Sequence, residues 1–336
     1  MNLFSHSICA ILLLVSTCSI TLSSCGSNND DINWSDQQQE ISCVKTGNVL
    51  TYTNRAGNVY FFKILDNSQK IAITWDRING EKCSDASCRR YSGDLTVPSI
   101  ITYNEDVYTV TQVDDNAFYG STNLTSITLP STITTLGQEL FVNCDRLTSA
   151  TLGDGITGIG DKAFYYCTSL TTVKFGSSVG SIGEKAFYGC SGLKSLILPD
   201  DITTIGAYAF YDCSALSALT LGSKLTSIGE SAFRKCSSLE SIKIPSLVTS
   251  VGDYAFNSCI KLTYVWLGSS LKSIGQFAFT DCGNIATIYS LSTTPPTCSD
   301  RGVFSSYSAT LNVPGSSIST YSATQGWSSF SNIQGF

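Results

Sequence analysis

Cysteine is the residue type best placed to do chemistry in this chain: there are 14 in 336 residues. Cys144, Cys167, Cys190, Cys213, Cys236, Cys259 and Cys282 recur at a fixed interval of 23 residues. Thiols so regularly placed are candidates for nucleophiles, metal ligands, disulfides or packing. A thiolate nucleophile needs a base, normally His. The one histidine, His6, falls in an N-terminal segment expected to be removed on export. Zinc needs four converging ligands, usually from CxxC pairs; a straight row of thiols does not converge, and the sequence has no CxxC. In stacked coils, equivalent Cα atoms would lie about 4.8 Å apart. Parallel side chains would keep their Cβ atoms near that spacing, beyond the roughly 3.8 Å a disulfide prefers. The ladder therefore reads as small buried hydrophobes with a weak S–H donor. No enzyme activity, metal or cofactor is expected.

The elements that position these cysteines repeat with them. Phe118, Phe141, Phe164, Phe187, Phe210, Phe233, Phe256 and Phe279 stand three residues before each cysteine, the first copy having Ser121 in its place. A Leu or Ile follows each Phe six residues on, and a Gly precedes it by four, except at Asp114. Such register over eight copies specifies a solenoid, within the length range of leucine-rich repeats. In 193–198 (LKSLIL), Leu193, Leu196 and Leu198 should point inward and Lys194, Ser195 and Ile197 outward, which makes a short strand. Ile202 and Ile205 supply two more inward side chains, Gly206 turns the chain, and a short helical turn carries Ala209 and Phe210. No coil buries its apolar face alone, so neighbours are required.

The unit around Gly206-Ala207-Tyr208-Ala209-Phe210-Tyr211-Asp212-Cys213 resembles the BspA-type leucine-rich repeat. The resemblance implies an α/β solenoid: a right-handed leucine-rich repeat superhelix of 23-residue repeats, with a parallel β-sheet on one face. It implies a surface lipoprotein of the adhesin class, whose partner is a host matrix protein or a bacterial surface protein. It carries over no catalytic residue.

The domain order follows. Residues 1–24 read as a lipoprotein signal peptide with the apolar core 8–15 (ICAILLLV). Leu22-Ser23-Ser24-Cys25 resembles a lipobox, making Cys25 the acylated residue. Residues 25–41 read as a flexible tether, 42–113 as a β-hairpin N-terminal cap, 114–291 as the array and 292–336 as a mixed C-terminal cap. Outer-membrane, cell-surface placement is expected, with the periplasmic face as the alternative. A net charge of −6 argues against a nucleic-acid partner, and the membrane is reached through the lipid anchor alone. Outside the ladder, Cys83 and Cys88 can close a short loop, or either can pair with Cys43; Cys298 is distant in sequence.

Recognition should lie on the outward strand positions. Most are small and polar, but Tyr264, Trp266 and Tyr289 cluster toward the C-terminal end, with Lys174 and Lys243 earlier in Trp266's column. Exposed Trp and Tyr favour partner binding. A protein ligand is the first reading; a passive structural or periplasmic scaffold with no specific ligand is the second, and a glycan stacked on these rings the third. The alternative for the rings themselves is that the C-terminal segment folds back and covers them. The stripe Tyr165, Tyr188 and Tyr211 reads as packing between coils.

Overall fold

The computed structural model describes residues 42–54, 58–65, 69–74, 91–299 and 302–336. Its N-terminal part is a sheet of β1 (Ser42–Thr46), β2 (Val49–Thr53), β3 (Val59–Ile64) and β4 (Lys70–Thr74), joined as an antiparallel meander. β5 (Ser92–Thr96) leaves this sheet and pairs in parallel with the strand Asn123–Thr128. β6 (Ile100–Tyr103) and β7 (Asp106–Val113) form a hairpin, and β7 pairs with both β4 and Thr135–Leu136. The cap and the array thus share a strand.

From there the chain winds as a parallel β-solenoid with three sides. The first side is a sheet of three- to six-residue strands such as Ser195–Ile197, Ser241–Lys243 and Tyr264–Leu267. The second is a ladder of two-residue strands, Ser181–Ile182 through Thr297–Cys298, each paired with the next. The third is a ribbon of turns carrying the Phe and Cys columns. The alternation in 193–198 falls as its residue types require: Leu193, Leu196 and Leu198 are buried and Lys194, Ser195 and Ile197 exposed. Ile202, Ile205, Ala209, Phe210 and Cys213 complete the buried set of one coil. Burying each large apolar side chain contributes roughly 1.5–3 kcal/mol, and the columns merge into one cluster reaching from Cys43 to Phe330.

Two local expectations change. The segment after Gly206 is a ribbon of turns. The N–H groups of Tyr208, Phe210 and Asp212 donate to Glu230, Ala232 and Arg234 of the next coil at 2.7–2.9 Å. Those of Ala209, Tyr211 and Cys213 close turns within their own coil. Alternate donors are thus committed outside the segment, and Tyr208 and Asp212 sit at φ near 57°, so an α-helix cannot propagate. Among the described residues the one α-helix is α1 (Ile318–Ala323). Gly206 is needed for close approach, since a Cβ there would lie 2.7 Å from the Gly183 carbonyl carbon of the preceding coil. Asp114 escapes this constraint at the start of the stack, where its N–H bonds Ile73 of β4.

The winding also extends beyond 114–291. Upstream, Tyr91 continues the ring column 4.8 Å from Phe118. Downstream, Phe304 stacks on Phe279 at 5.4 Å, and Thr310–Val313 pairs with the strand Thr287–Ser290. Two extra residues before Phe304 are balanced by two fewer after it. Trp327 and Phe330 close the end edge-on against Phe304, and the Trp327 indole donates to the Pro296 carbonyl at 2.7 Å. The last strand, Asn332–Gly335, adds to the first sheet beside Thr310–Val313.

Candidate functional site

The cysteine ladder lies in the interior. Each thiol donates to the carbonyl of the preceding coil's Phe: Cys190 Sγ to Phe164 O at 3.1 Å, and all seven between 3.0 and 3.3 Å. That carbonyl also accepts the N–H three residues on in its own coil, as Cys167 N to Phe164 O at 3.1 Å and, in the first copy, Ser121 N to Phe118 O at 3.0 Å. Both lone pairs of a buried carbonyl are thereby used. Burial pushes the thiols of Cys167, Cys190, Cys213, Cys236 and Cys259 well above the usual range. A neutral thiol facing a carbonyl, with no base beside it, is a poor nucleophile.

Cys298 ends the second sheet and is pushed up to about 12 by burial. Cys43 is buried in β1. Its proposed partners Cys83 and Cys88, like Cys25, lie outside the described residues. Among the described residues no group of three or more His, Cys, Asp or Glu is placed to hold a metal ion, and no helix is long and apolar enough to cross a membrane.

Of the outward residues singled out in the sequence, Tyr264, Trp266, Tyr289 and Lys243 adjoin one another, and Lys174 does not. In the first sheet Tyr264 is in register with Ser241 and Thr287, while Trp266 lies between Lys243 and Tyr289. The Trp266 and Tyr289 rings are stacked at 5.7 Å and within 3° of parallel, and Tyr264 stacks on Trp266 at 5.8 Å. Tyr264 is 46% exposed; Trp266 and Tyr289 are partly exposed. Lys243 borders this platform, whereas Lys174 stands three coils before Lys243, beyond the exposed Ile197 and Thr220. The C-terminal segment extends the sheet as a further strand, so the rings remain on its outward face. It also contributes a residue that sequence reasoning missed: Phe336 leans on Tyr289 at 6.2 Å and is 61% exposed. The alternation in 332–336 (NIQGF) was the available signal.

At the opposite end of the face, Asp94 accepts the Thr125 and Ser126 hydroxyls at 2.8 and 2.6 Å, which hold its carboxyl below the ordinary value. The tyrosine stripe packs between coils, with Tyr165–Tyr188 at 5.0 Å and Tyr188–Tyr211 at 4.6 Å. Burial, then the surrounding tyrosines, push Tyr188 up to about 12. Arg234 continues the stripe over the Tyr254 ring at 5.0 Å.

Comparison with known proteins agrees with this geometry. The family profile for the BspA type leucine rich repeat region matches in 6 copies across residues 99–217 and 180–309. A solved leucine-rich repeat protein from Bacteroides ovatus is 22% identical, with a TM-score of 0.60, covering 82% of this chain and 66% of that one. This chain therefore spans just under two thirds of that protein's length. A leucine rich cell surface protein from Faecalibacterium prausnitzii is 21% identical, covering 84% of this chain and 94% of that one, with a TM-score of 0.46. A leucine rich repeat protein from T. pallidum is 24% identical, covering 67% and 87%, with a TM-score of 0.46. No curated protein matches the sequence. The Bacteroides likeness shows the fold, and the profile match over most of the chain shows that it belongs to the BspA type leucine rich repeat family.

Proposed function

We propose that this is a lipid-anchored cell-surface protein that captures a protein ligand on the outward face of its first sheet. One observation carries the reading: Tyr264, Trp266 and Tyr289 form a continuous stacked row open to solvent. The stack does not require aromatic residues there, because Ser195 and Thr220 occupy equivalent outward positions elsewhere. Flat aromatic side chains at a sheet surface are the anchors protein interfaces favour. Acylation at Cys25 would tether the array to the outer membrane, and a cysteine-to-serine change there should release the protein to the soluble fraction.

The test is capture of immobilised extracellular-matrix proteins and of bacterial surface proteins by the full chain. Trp266→Ser with Tyr289→Ser should lower capture at least about tenfold, a loss near 1.4 kcal/mol. Unchanged capture by the folded double variant rejects the face. A glycan ligand is the second reading, favoured by the parallel Trp266 and Tyr289 rings; selective retention on a glycan array in place of matrix proteins would establish it. Protease accessibility on intact cells separates surface from periplasmic placement.

A further inference from the structure

The tyrosine stripe lies on the ribbon of turns, a different side of the coil from the first sheet. Inside the ribbon the Phe and Cys columns repeat without exception from Phe141 to Cys282. Its outward columns do not: the one that reads Tyr165, Tyr188 and Tyr211 continues as Arg234, Asn257 and Thr280. The stack therefore does not require a ring there. The column beside it holds the chain in the left-handed region at every coil from Gly120 to Asp281, a conformation that suits Gly, Asn and Asp. Tyr166 and Lys235 are its two long side chains, at φ 55° and 63°. The Tyr166 ring lies on Gly189 of the next coil, where a Cβ would come within 2.5 Å of Cδ1. It meets Tyr165 and Tyr188 edge-on at 4.7 and 5.5 Å, and the residue is still 39% exposed.

The charges on this surface divide in two. Lys162 and Lys185 are neutralised by Glu139 and Glu184. Arg234 and Lys235 take part in no ion pair among the described residues, although Asp212 stands one coil before Lys235 in its column. Rings hold both cations in place: Arg234 lies over Tyr254 at 5.0 Å, and Lys235 Nζ over Tyr211 at 5.3 Å. Arg234 Nε is buried without a hydrogen-bond partner. In a chain of net charge −6, two adjacent cations left uncompensated and pre-positioned on rings suit a carboxylate.

We propose that the ribbon from Tyr166 to Lys235 binds an acidic polysaccharide laid along the solenoid axis. The apolar face of one sugar would rest on the Tyr166 ring, and a carboxylate farther along the chain would meet Arg234 and Lys235. The two contacts stand three coils apart, about 14 Å at strand spacing, so a single sugar cannot reach both and a chain can. Between them the outward columns present phenol edges, hydroxyls and charges but no aliphatic side chain. That surface matches a hydroxylated chain better than a peptide, whose side chains would look for apolar anchors. The site shares no residue with the Trp266 face and stands independently of what that face binds.

Equilibrium binding of the full chain to polygalacturonate tests it. Methyl esterification, which keeps the sugar chain and removes its charge, should weaken binding at least about tenfold, as should substitution of monomeric galacturonate. Polyglutamate and single-stranded DNA, which keep the charge and remove the acidic sugar, should also bind at least about tenfold more weakly. Arg234→Asn with Lys235→Ser copies Asn257 and Ser258 of the next coil, and should cost about tenfold or more while the urea midpoint holds. Tyr166→Asn, copying Asn143, should cost about fivefold. No binding, equal binding of the methyl ester, or equal binding of polyglutamate or DNA each overturns the proposal without any variant. So does unchanged binding by the folded ribbon variants. Binding lost in Trp266→Ser but kept in the ribbon variants would also overturn it and put the sugar on the first sheet.

Discussion

The turn ribbon and the outward sheet face belong to the same coils but obey opposite rules. Along the ribbon each Phe meets another Phe, at 4.9–5.2 Å from Phe118 through Phe279. Each Cys meets the carbonyl of the preceding coil's Phe. A contact made between equivalent positions has one good solution, so the same residue types return in every coil. On the outward face, Lys243, Trp266, Tyr289 and Asn312 follow one another in register although they range from a cation through aromatic rings to an amide. Periodicity marks what the stack needs, and its loss marks where the chain is free to recognise something else.

The largest effect expected from this contrast is alkaline. In the folded state Cys167, Cys190, Cys213, Cys236 and Cys259 stay neutral because burial raises them. Once unfolded they ionise around their ordinary value of 9.0. Their stabilisation is therefore fully present below pH 9 and is lost as pH rises above it. Each should contribute about 1.4 kcal/mol per pH unit there. Urea midpoints across that range should fall steeply, and Cys190→Ala should reduce the slope by about one proton. A flat profile would break the contrast at once.

Next in size, Phe210→Ala should cost about 3–5 kcal/mol in urea denaturation, since it removes a ring stacked on both sides. Cys190→Ala at neutral pH should cost about 1–2 kcal/mol through the lost S–H donor and a small void. Trp266→Ser, by comparison, should change stability by less than about 0.5 kcal/mol while reducing capture. If it destabilised the chain as much as Phe210→Ala, the row would belong to the stack.

The buried columns were legible in the sequence because spacing alone fixes them: Leu193, Leu196, Leu198 and Cys190 fall where the interval requires. The ends were not, because Phe304 comes two residues late and the strand after it recovers the phase, which disguises a continuing coil as a cap. In the ribbon, a Gly followed by an acidic residue invites a helical turn, but inter-coil bonds claim the donors a helix would use. Tyr264, Trp266 and Tyr289 were legible as a cluster from their outward positions, whereas for Phe336 the alternation in 332–336 marks a strand without naming Thr310–Val313 as the neighbour it pairs with. The two breaks in strand pairing along the first side, after Thr172–Lys174 and after Ala218–Thr220, were hidden because Val173 and Leu219 are ordinary column residues. Phe175 alone hints at the first, standing where Leu152 and Leu198 occupy the strand end and meeting Phe187 edge-on at 6.1 Å.

The two-residue delay before Phe304 shows that a coil can lengthen locally and still rejoin the stack. Since the path re-enters its own cross-section at each repeat, an in-frame loss or gain of one repeat's codons would join two equivalent points. A gene of this construction can add or drop rows of surface without redesigning the interior, so the area of the outward face is a heritable variable separate from the fold.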